Sequence, residues 1–395
     1  IAYFSPLPPS PTGVADYSQD LLPHLAGLAQ VDLFVDASSI DGARPGLGLS
    51  VHSCQEFERL AHHYQACLYH LGNDPSHEFV LDTMLRFPSF AVLHDVSVHA
   101  LIVALTVGRG DLVAYMREMG YAYGRQGIAE ARAAYVGRFF RYEEFPLCQR
   151  VMDLSLGTVV HSQYAAGIVR SLRPHANLAV IPHGVSPIEV GAGEECRRRL
   201  GLDAGEYIIA ALGLATPNKR LEPALRAFAR LLESRPSCRF MVVGEVPPWY
   251  DLAGIVESLG LGDRVVLTGR VSLEDFHAYA AAADVCLALR HPTNGETSGA
   301  LLRAMSVGRP VVVSREGSFA ELPADACVHV AVDDGEEDEI LEALDRLAAD
   351  DALRQTLGRS AQAFVGREHS WQQAAARYHQ FIKNTLGDLS DEGVA

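Results

Sequence analysis

Lysine is almost missing from this chain of 395 residues: only Lys219 and Lys383 occur, although lysine and arginine together number 33. Acidic residues outnumber basic ones, and a formal net charge of -16 argues against nucleic acid as a partner. No apolar run has the length needed to cross a membrane. The opening residues, I-A-Y-F-S-P, predict a buried strand and not a secretion leader.

Several motifs are also absent. The seven cysteines are scattered and lack C-x-x-C spacing, which argues against a disulfide framework or a zinc site and favours a reducing cytoplasm. There is no G-x-G-x-x-G with a downstream acidic partner and no P-loop, so a dehydrogenase is disfavoured. His94 and His99 have a spacing that suits one helix face poorly, and no carboxylate ligands accompany them, so we expect no metal.

The chain does contain alternating strand and helix patterns in both halves. In the first half, buried strands are expected at 2–4, 31–35, 66–71, 91–93, 157–160 and 178–181. In the second half, strands are expected at 207–212, 240–243, 265–267, 285–289, 311–313 and 328–330, and helices at about 219–234, 250–259, 273–282, 299–307 and 338–348. Two such sets predict an α/β protein with two doubly wound domains.

The domain boundary is expected near I-P-H-G-V at 181–185, because Pro182 and Gly184 interrupt the pattern after the last strand of the first half. The predicted domains are residues 1–183, with a helical excursion at about 97–150, and residues 184–368. Residues 186–195 are interpreted as a linker. Residues 369–395 are predicted to form a final amphipathic helix with a frayed tail.

The most informative stretch is R-H-P-T-N-G-E-T-S-G-A-L-L-R-A-M-S-V-G-R-P at 290–310. It lies between two predicted strands, and its polar half forms the loop at the carboxyl end of the first, where open α/β sheets bind ligands. The backbone of Ser298, Gly299 and Ala300 at a helix N-terminus suits a phosphate, and Glu296 adds a carboxylate for sugar hydroxyls. An ordinary loop in which Ser298 caps the helix is the alternative.

Two other loops follow predicted strands. In the loop at 5–18, Gly13 lets the backbone approach a ligand closely, unless the loop is only stiffened by its prolines. The segment L-G-L-A-T-P-N-K-R at 212–220 carries Lys219 and Arg220, cations that suit a diphosphate; a solvated charge pair is the alternative.

Single residues at other strand ends are weaker candidates. His94 and Asp95 end a predicted strand, and His94 would donate a hydrogen bond, act as a base or be a satisfied structural histidine. Arg270 follows another strand and would line a nucleotide pocket or lie on the surface. Glu321 is a loop carboxylate with the same two interpretations.

In their order and spacing, these segments resemble the family 4 retaining glycosyltransferases, which have the GT-B fold. The resemblance covers nearly the whole chain and rests on the loop at Gly13, H-D at 94–95, I-P-H-G-V, G-L-A-T-P-N-K-R, V-V-G-E at 242–245, L-T-G-R-V-S, and G-E-T-S-G-A-L-L-R-A-M followed by G-R-P-V-V-V. It implies two Rossmann-like domains facing across a cleft: an acceptor-side N-terminal domain, a nucleotide-sugar-binding C-terminal domain, and a last helix that returns to the first.

The resemblance also implies residue roles. Lys219 would meet the diphosphate and His94 would lie near the reacting sugar, so these two and Glu296 are the predicted catalytic residues. The predicted donor-binding residues are Gly13, Gly213, Asn218, Arg220, Arg270, Val271, Thr297, Ser298, Gly299, Ala300 and Arg303. The predicted acceptor-binding residues are Asp16, Tyr17, Asp95 and Arg138.

The chain departs from the family pattern at three positions. The family usually has two glutamates flanking seven residues, but Gly295 and Arg303 occupy these places and Glu296 is shifted by one. The second glutamate normally holds the ribose. Many members have an arginine where Leu214 stands, and Arg220 is the candidate replacement for that charge.

The resemblance implies a retaining hexosyltransferase that uses a UDP- or GDP-type sugar, needs no other cofactor or metal, and acts on a glycan, lipid carrier or small molecule. A sugar-nucleotide epimerase of the same architecture and a non-catalytic sugar-nucleotide or glycan-binding homologue are the alternatives. Arg125, Arg138 and Arg141 in the excursion would serve an anionic or lipid phosphate acceptor, or are solvated helix faces. Peripheral contact with a membrane stays open.

Overall fold

The computed structural model describes residues 1–42, 48–137, 141–188, 192–202 and 205–392. They fall into two compact units. The first consists of Ile1–Gly184, Asn294–Thr297 and the described part of Trp371–Ala395. The second consists of Val185–Thr293 and Ser298–Ser370. The four-residue segment Asn294–Thr297 therefore belongs to the first unit, although the sequence analysis assigned all of 184–368 to the second domain.

The first unit is built on a parallel sheet. Its strands are β1 (Ala2–Phe4), β2 (Asp32–Val35), β3 (Val51–Ser53), β4 (Cys67–Leu71), β5 (Phe90–Leu93), β6 (Gly157–Val160) and β7 (Leu178–Val180). Over the described residues their order is β3-β2-β1-β4-β5-β6-β7. Short apolar runs such as F-A-V-L in β5 are buried throughout, as expected for strands covered on both faces. The strand order reverses between β1 and β4, which makes that junction the topological switch point.

Helices cover both faces of this sheet. They are α1 (Gly13–Ala26), α2 (Phe57–Leu60), α3 (Glu78–Arg86), α4 (His99–Leu105), α5 (Leu112–Tyr135), α6 (Gln149–Leu154) and α7 (Gln163–Leu172). Thr12 caps α1 by accepting a hydrogen bond from the amide of Ala15 at 3.1 Å. Helix α5 kinks at Gly124, whose φ of 61° a glycine adopts without strain. Helices α4 to α6 account for most of the predicted excursion.

The second unit repeats the plan. Its strands are β8 (Tyr207–Leu212), β9 (Cys238–Val243), β10 (Val265–Leu267), β11 (Val285–Ala288), β12 (Val311–Ser314) and β13 (Val328–Val330). They are parallel, in the order β10-β9-β8-β11-β12-β13. The helices are α8 (Ala192–Arg199), α9 (Leu221–Ser234), α10 (Leu252–Ser258), α11 (Leu273–Ala282), α12 (Gly299–Ser306), α13 (Glu336–Ala349) and α14 (Asp351–Glu368). The switch point lies between β8 and β11.

The final helix, α15 (Trp371–Glu392), is part of the first unit. It buries Trp371 and Tyr378 in the same core as Tyr17 of α1, and the two tyrosine hydroxyls lie 2.8 Å apart. Gly184 makes room for this helix, because a Cβ there would lie 2.3 Å from the Trp371 ring. The helix continues to Glu392, beyond the point where the sequence predicted fraying.

Three further elements differ from the sequence analysis. Strand β3 was not predicted, because V-H-S is a three-residue, half-buried edge strand with little apolar signal. Helix α8 occupies the second part of the predicted linker, since A-G-E-E-C-R-R-R lacks an apolar stripe. Helix α14 was also missed; its buried positions, Leu357, Gly358, Ala361 and Val365, include two small residues that contribute little hydrophobicity.

Candidate functional site

Glycines form the carboxyl edge of the second sheet. Gly213 follows β8 with a φ of 89°, and Gly244 follows β9 with a φ of 144°. A Cβ on Gly244 would lie 2.4 Å from the carbonyl oxygen of Gly213. Gly244 also forms an isolated bridge to Gly269, which follows β10. Backbone therefore packs against backbone at three neighbouring strand ends, and a side chain on Gly244 would clash there.

Lys219 lies above the same edge. It ends a 3-10 turn, Pro217–Lys219, and its ammonium donates to the carbonyl oxygen of Leu212 at 2.9 Å. A Cβ on Gly213 would lie 2.7 Å from Nζ. Asn218 supports the turn, because its carbonyl oxygen accepts from the amide of His291 at 2.7 Å. The fold thus holds a half-buried positive charge beside a glycine at the carboxyl end of β8.

The N-terminus of α12 lies beside Lys219 at this edge of the sheet. Ser298 caps the helix by accepting from the amide of Leu301 at 3.2 Å. Lys219, Ser298 and Ala300 line one small cavity of about 20 Å³, and a Cβ on Gly213 would lie 3.7 Å from that of Ala300. Ser298, Gly299 and Ala300 form the start of α12, whose amides and macrodipole favour an anion. The structure therefore brings these predicted donor-binding residues together.

The segment Asn294–Thr297 lies in the first unit, where the carbonyl oxygen of Asn294 accepts from the amides of Val96 and Ser97 at 3.0 and 3.1 Å. Glu296 folds back and accepts from the amide of Asn294 at 2.7 Å. The hydroxyl of Thr297 is buried and has no hydrogen-bond partner among the described residues.

The structure contradicts the donor-binding role predicted for Arg220. Its Nε lies 3.0 Å from each carboxylate oxygen of Glu336, which is only 3% exposed at the start of α13. A buried carboxylate depends on its cationic partner. Arg220 also has a φ of 53° at the start of α9, which fixes its direction. Its charge is therefore committed to packing α13, and it does not replace the arginine missing at Leu214.

The remaining predicted donor-binding residues lie on neighbouring elements of the second unit. Arg303 lies on α12 near His277 of α11; burial first, and then the charge of Arg303, lower the pKa of His277 to about 4. Arg270 is exposed directly after Gly269, on the edge just described, and Val271 packs against the core. Their contacts with the ribose and base stay predictions.

In the first unit, Gly13 and Asp16 lie in the first turn of α1. Gly13 is exposed, and a Cβ there would meet nothing within 4 Å. Asp95 accepts from the amide of Asn73 at 3.1 Å, and the Asn73 side chain in turn accepts from the amide of Ala100 at the start of α4. Asp95 therefore orders a helix start. Its predicted contact with an acceptor, like that of Asp16, stays a prediction.

The structure contradicts the acceptor-binding role predicted for Tyr17. Its side chain is 1% exposed, and its hydroxyl is paired with that of Tyr378. The ring packs edge-on against Trp371 at 4.9 Å and His94 at 4.6 Å. The D-Y pair at 16–17 gave no signal that the tyrosine faces inward, because the covering helix α15 lies more than 350 residues away in sequence. Arg138 lies outside the described residues.

Three histidines form a chain across the carboxyl ends of β4, β5 and β6. His70 Nδ1 lies 3.0 Å from His94 Nε2, His94 Nδ1 lies 3.2 Å from His161 Nε2, and His161 Nδ1 lies 2.8 Å from the carbonyl oxygen of Ile181. Since the carbonyl accepts only, His161 donates from Nδ1, and the same tautomer follows for His94 and His70. The chain ends at His70 Nε2, which is buried and has no partner in the described part of the protein.

This chain decides between the alternatives for His94. Burial, followed by the neighbouring histidines, lowers the pKa of His94 well below its usual value. The lowered pKa keeps the ring neutral near pH 7, and both ring nitrogens already have partners. The structure therefore favours the structural alternative for the His94 ring, and its catalytic role stays a prediction. The signal available in the sequence was a histidine at the end of each of three consecutive predicted strands.

Three further features concern disulfides, metal ions and membrane-spanning helices. All seven cysteines are free thiols. Within the described ranges, no three histidine, cysteine or acidic side chains are grouped to hold a metal ion. The helices that the structure describes include none with the length and hydropathy of a membrane span.

Comparison with known proteins gives matches to glycosyltransferases. The family described as glycosyl transferases group 1 matches residues 193–364. A D-inositol 3-phosphate glycosyltransferase of Segniliparus rotundus is 31% identical over 50% of this chain and 44% of its own length. A lipopolysaccharide 1,2-N-acetylglucosaminetransferase of Salmonella typhimurium is 22% identical over 57% of this chain and 61% of its own length. The chain thus spans about half the length of the relatives it matches.

Solved structures extend the likeness to both units. Anabaena HepE in complex with UDP and glucose has a TM-score of 0.70 at 17% identity, covering 97% of this chain and 99% of that chain. WaaG, a glycosyltransferase involved in lipopolysaccharide biosynthesis, has a TM-score of 0.63 at 15% identity, covering 97% and 99%. At this identity the likeness concerns the fold. Residues 193–364 therefore match the glycosyl transferases group 1 family, and the chain has the GT-B fold of these solved structures.

Proposed function

We propose that this protein is a retaining glycosyltransferase that moves a hexose from a UDP- or GDP-type sugar to an acceptor hydroxyl. One observation carries the proposal: Lys219, Gly213 and the first turn of α12 meet at the switch point of the second sheet. That is where an open α/β sheet binds its ligand. The relatives named as glycosyltransferases and the UDP bound to HepE support a nucleotide-sugar donor.

The donor's diphosphate suits this edge by charge. Lys219 supplies a compact positive charge, and Gly299 and Ala300 lie in the first turn of α12, where backbone amides favour an anion. Leu214 and Arg220 contribute no charge here, the latter because it pairs with Glu336. We therefore propose that Lys219 carries most of the side-chain contribution to diphosphate binding.

These groups also suit the chemistry. When the bond between the sugar and the diphosphate breaks, negative charge grows on the leaving oxygen, and a fixed ammonium with helix amides stabilises it without rearranging. We propose that this replaces a metal ion. Retention of configuration, with the acceptor attacking on the leaving-group side, is part of the proposal and comes from the family resemblance. The free cysteines suit a reducing cytoplasm as the compartment.

The test is turnover of UDP-glucose, GDP-mannose, ADP-glucose and dTDP-glucose by the purified chain, with EDTA present in one arm. We expect one donor to be hydrolysed slowly without an acceptor, and the sugar to be released first as the α-anomer, visible by NMR before mutarotation. EDTA should leave the rate unchanged.

The other outcomes separate the alternatives. Conversion of the intact sugar nucleotide into its epimer would identify an epimerase. Binding of a donor without turnover, even when acceptors are supplied, would identify a sugar-nucleotide-binding homologue. Initial release of the β-anomer would remove retention from the proposal, and loss of turnover in EDTA would remove metal independence.

A further inference from the structure

Arg220 has a backbone conformation that arginine rarely adopts. Its φ of 53° and ψ of 34° lie in the left-handed region, where a Cβ is crowded by the backbone and glycine is not. Arg220 and Leu147 are the two non-glycine residues with a positive φ that the structure describes. Such a conformation persists only where the surrounding structure stabilises it, so a contact of Arg220 elsewhere in the fold has to do so.

The same residue joins the Lys219 turn to α9. Its amide donates to the carbonyl oxygen of Pro217 at 3.0 Å and closes the turn, and its own carbonyl oxygen accepts from the amide of Ala224 in α9 at 3.2 Å. Because φ and ψ are the only soft backbone dihedral angles, those of Arg220 set the angle between the turn and the helix. A change to an ordinary conformation at 220 would therefore rotate Lys219 relative to the edge of the sheet.

The contact that stabilises Arg220 comes from α13. Glu336, in the first turn of that helix, is 3% exposed, and both of its carboxylate oxygens lie 3.0 Å from Nε of Arg220. Nη2 of Arg220 donates to the same carboxylate. Hydrogen bonds from two nitrogens of a planar guanidinium to one carboxylate fix direction as well as distance. Glu336 therefore holds the side chain of Arg220, and through it the backbone at 220.

Stability alone is a weak reason for this buried pair. The cost of removing two charges from water can exceed their attraction, and an apolar pair of similar volume is often at least as stable. Helices α9 and α13 already share an apolar core that includes Phe228 and Ile340. Arg230 and Asp338 join the same two helices at the surface, at 2.6 Å. The place of the buried pair, directly after Lys219, therefore indicates a role beyond packing.

We propose that Arg220 and Glu336 are positioning residues for Lys219. Glu336 keeps Arg220 in the left-handed conformation, and this conformation directs the ammonium of Lys219 to the carboxyl end of β8, beside Gly213. The inference rests on the proposed function, in which Lys219 binds the diphosphate of the donor. Through this pair, the packing of α13 influences the donor site without either residue contacting the diphosphate.

The test compares three variants in calorimetric titration with the nucleotide, UDP or GDP, that the wild type binds more tightly. Glu336→Gln keeps the shape of the side chain, but its amide presents N–H groups to a guanidinium that also only donates. Arg220 should then relax, and the nucleotide should bind about tenfold more weakly. Adding Arg220→Gly should restore the affinity to within about threefold of the wild type, because glycine adopts this conformation without the ion pair.

Glu336→Gln with Arg220→Ala is the matched comparison, since it differs from the glycine variant only by one Cβ at a φ of 53°. It should bind as weakly as Glu336→Gln alone. Both double variants remove both charges, so they leave no buried charge unpaired and are expected to fold, which their melting temperatures check.

Equal affinity of the two double variants would overturn the proposal. They would bind equally weakly if the guanidinium contacted the diphosphate itself, and equally if the pair only packed α13. Arg230→Gln with Asp338→Asn, which removes the surface pair between the same helices, is the control and should bind as the wild type.

A second readout follows Lys219 without any nucleotide. Because Lys219 and Lys383 are the only lysines of the chain, labelling lysine with ¹³C gives two Cε–Hε signals in NMR, and Lys383→Arg assigns them. Glu336→Gln should shift the Lys219 signal towards that of the exposed Lys383, and adding Arg220→Gly should return it. An unshifted Lys219 signal in Glu336→Gln would overturn the positioning role whether or not a nucleotide binds.

The two proposals fail separately. Nucleotide binding that is lost in Lys219→Ala but unchanged in Glu336→Gln would keep the donor site and reject the positioning role. A Lys219 signal that shifts and returns as expected, in a chain that binds neither nucleotide, would keep the positioning role and reject the donor site.

Discussion

The carboxyl edges of the two sheets of this protein are built from opposite kinds of residue. In the first unit, the rings of His70, His94 and His161 fill the ends of β4, β5 and β6 and bond to one another. In the second, Gly213, Gly244 and Gly269 follow β8, β9 and β10 and bring backbone against backbone. Both sheets are doubly wound, so architecture alone does not decide where ligands bind. We propose that the residue types at the strand ends decide it.

The comparison also explains the division of roles. At the ends of β4, β5 and β6, the three histidines form a buried, neutral hydrogen-bond chain that leaves no room for a ligand. The open pocket of the first sheet therefore lies at the ends of β3, β2, β1 and β4. The glycine edge of the second sheet carries Lys219 as its positive charge. Four changes would break or sharpen this contrast.

Trp371→Ala should have the largest effect on stability, because it removes a large buried ring beside the histidine-filled edge of the first sheet. Trp371 is 2% exposed and packs against Tyr17 and His183. Loss of a fully buried tryptophan typically costs about 3–5 kcal/mol. We expect the urea transition of the first unit to shift by that amount in circular dichroism. Trp249→Ala, at a site 70% exposed in the second unit, is the control and should leave the transition in place.

Acid should destabilise the first unit more than the second. Burial lowers the pKa of both His70 and His94 in the folded state, while the unfolded chain titrates near 6.5. The unfolded state therefore binds more protons below that pH, so the stability is full above about 6.5 and is lost as the pH falls towards the folded pKa. The loss is at most about 1.4 kcal/mol per pH unit for each histidine.

In a Trp249→Phe background, Trp371 alone reports on the first unit, and its urea transition can be followed from pH 8 to 5.5. His94→Gln removes one of the two histidines whose pKa is lowered, so it should flatten the pH dependence, and the exposed His62→Asn should not. Equal pH dependence in wild type and His94→Gln would contradict the neutral histidine chain.

Gly244→Ala should damage the glycine edge. Its Cβ would lie 2.4 Å from a carbonyl oxygen of the backbone, at a φ of 144° that side chains rarely adopt. We expect a loss of about 2 kcal/mol or more in the second unit, measured by calorimetry, together with loss of nucleotide binding. Gly262→Ala, where a Cβ meets nothing within 4 Å, is the matched control. A Gly244→Ala protein as stable as this control would remove the reason given for the glycine.

Gly13→Ala should have the smallest effect on stability, within about 0.5 kcal/mol, since a Cβ there meets nothing within 4 Å. If Gly13 approaches the donor phosphate, as the family resemblance implies, the added methyl should still slow donor turnover by about tenfold or more. An unchanged melting temperature with slowed turnover supports this role. Unchanged turnover would remove Gly13 from the donor site.

Much of the second unit could be predicted from the sequence, because its site residues follow long apolar strands and keep local spacing. Strands β8, β10 and β13 have the predicted bounds, and Lys219, Ser298 and Ala300 meet as expected. The predictions that failed concern residues whose partners lie far away in the sequence. In the sequence, Arg220 looks like a free charge, but it pairs with Glu336, more than 100 residues later. Tyr17 looks accessible in the sequence, but α15 covers it.

The polar pocket at the carboxyl ends of β1, β2, β3 and β4 illustrates the same limit. Asp36, Glu78 and Asp82 each look like ordinary surface carboxylates in sequence, and only the strand order β3-β2-β1-β4 brings them to one pocket. The rule that ligands lie outside strand carboxyl ends applied to Asp36, but strand β3, which completes the wall, had too weak a pattern to be predicted.

The central claim is that the glycine edge of the second unit binds a nucleoside diphosphate through Lys219. The chain's only two lysines provide a matched pair for calorimetric titration with UDP and GDP: Lys219 on that edge and Lys383, exposed on α15. We predict that Lys219→Ala weakens binding of the preferred nucleotide by about tenfold or more, while Lys383→Ala binds as wild type. Equal affinity in the Lys219→Ala protein and the wild type would contradict the account.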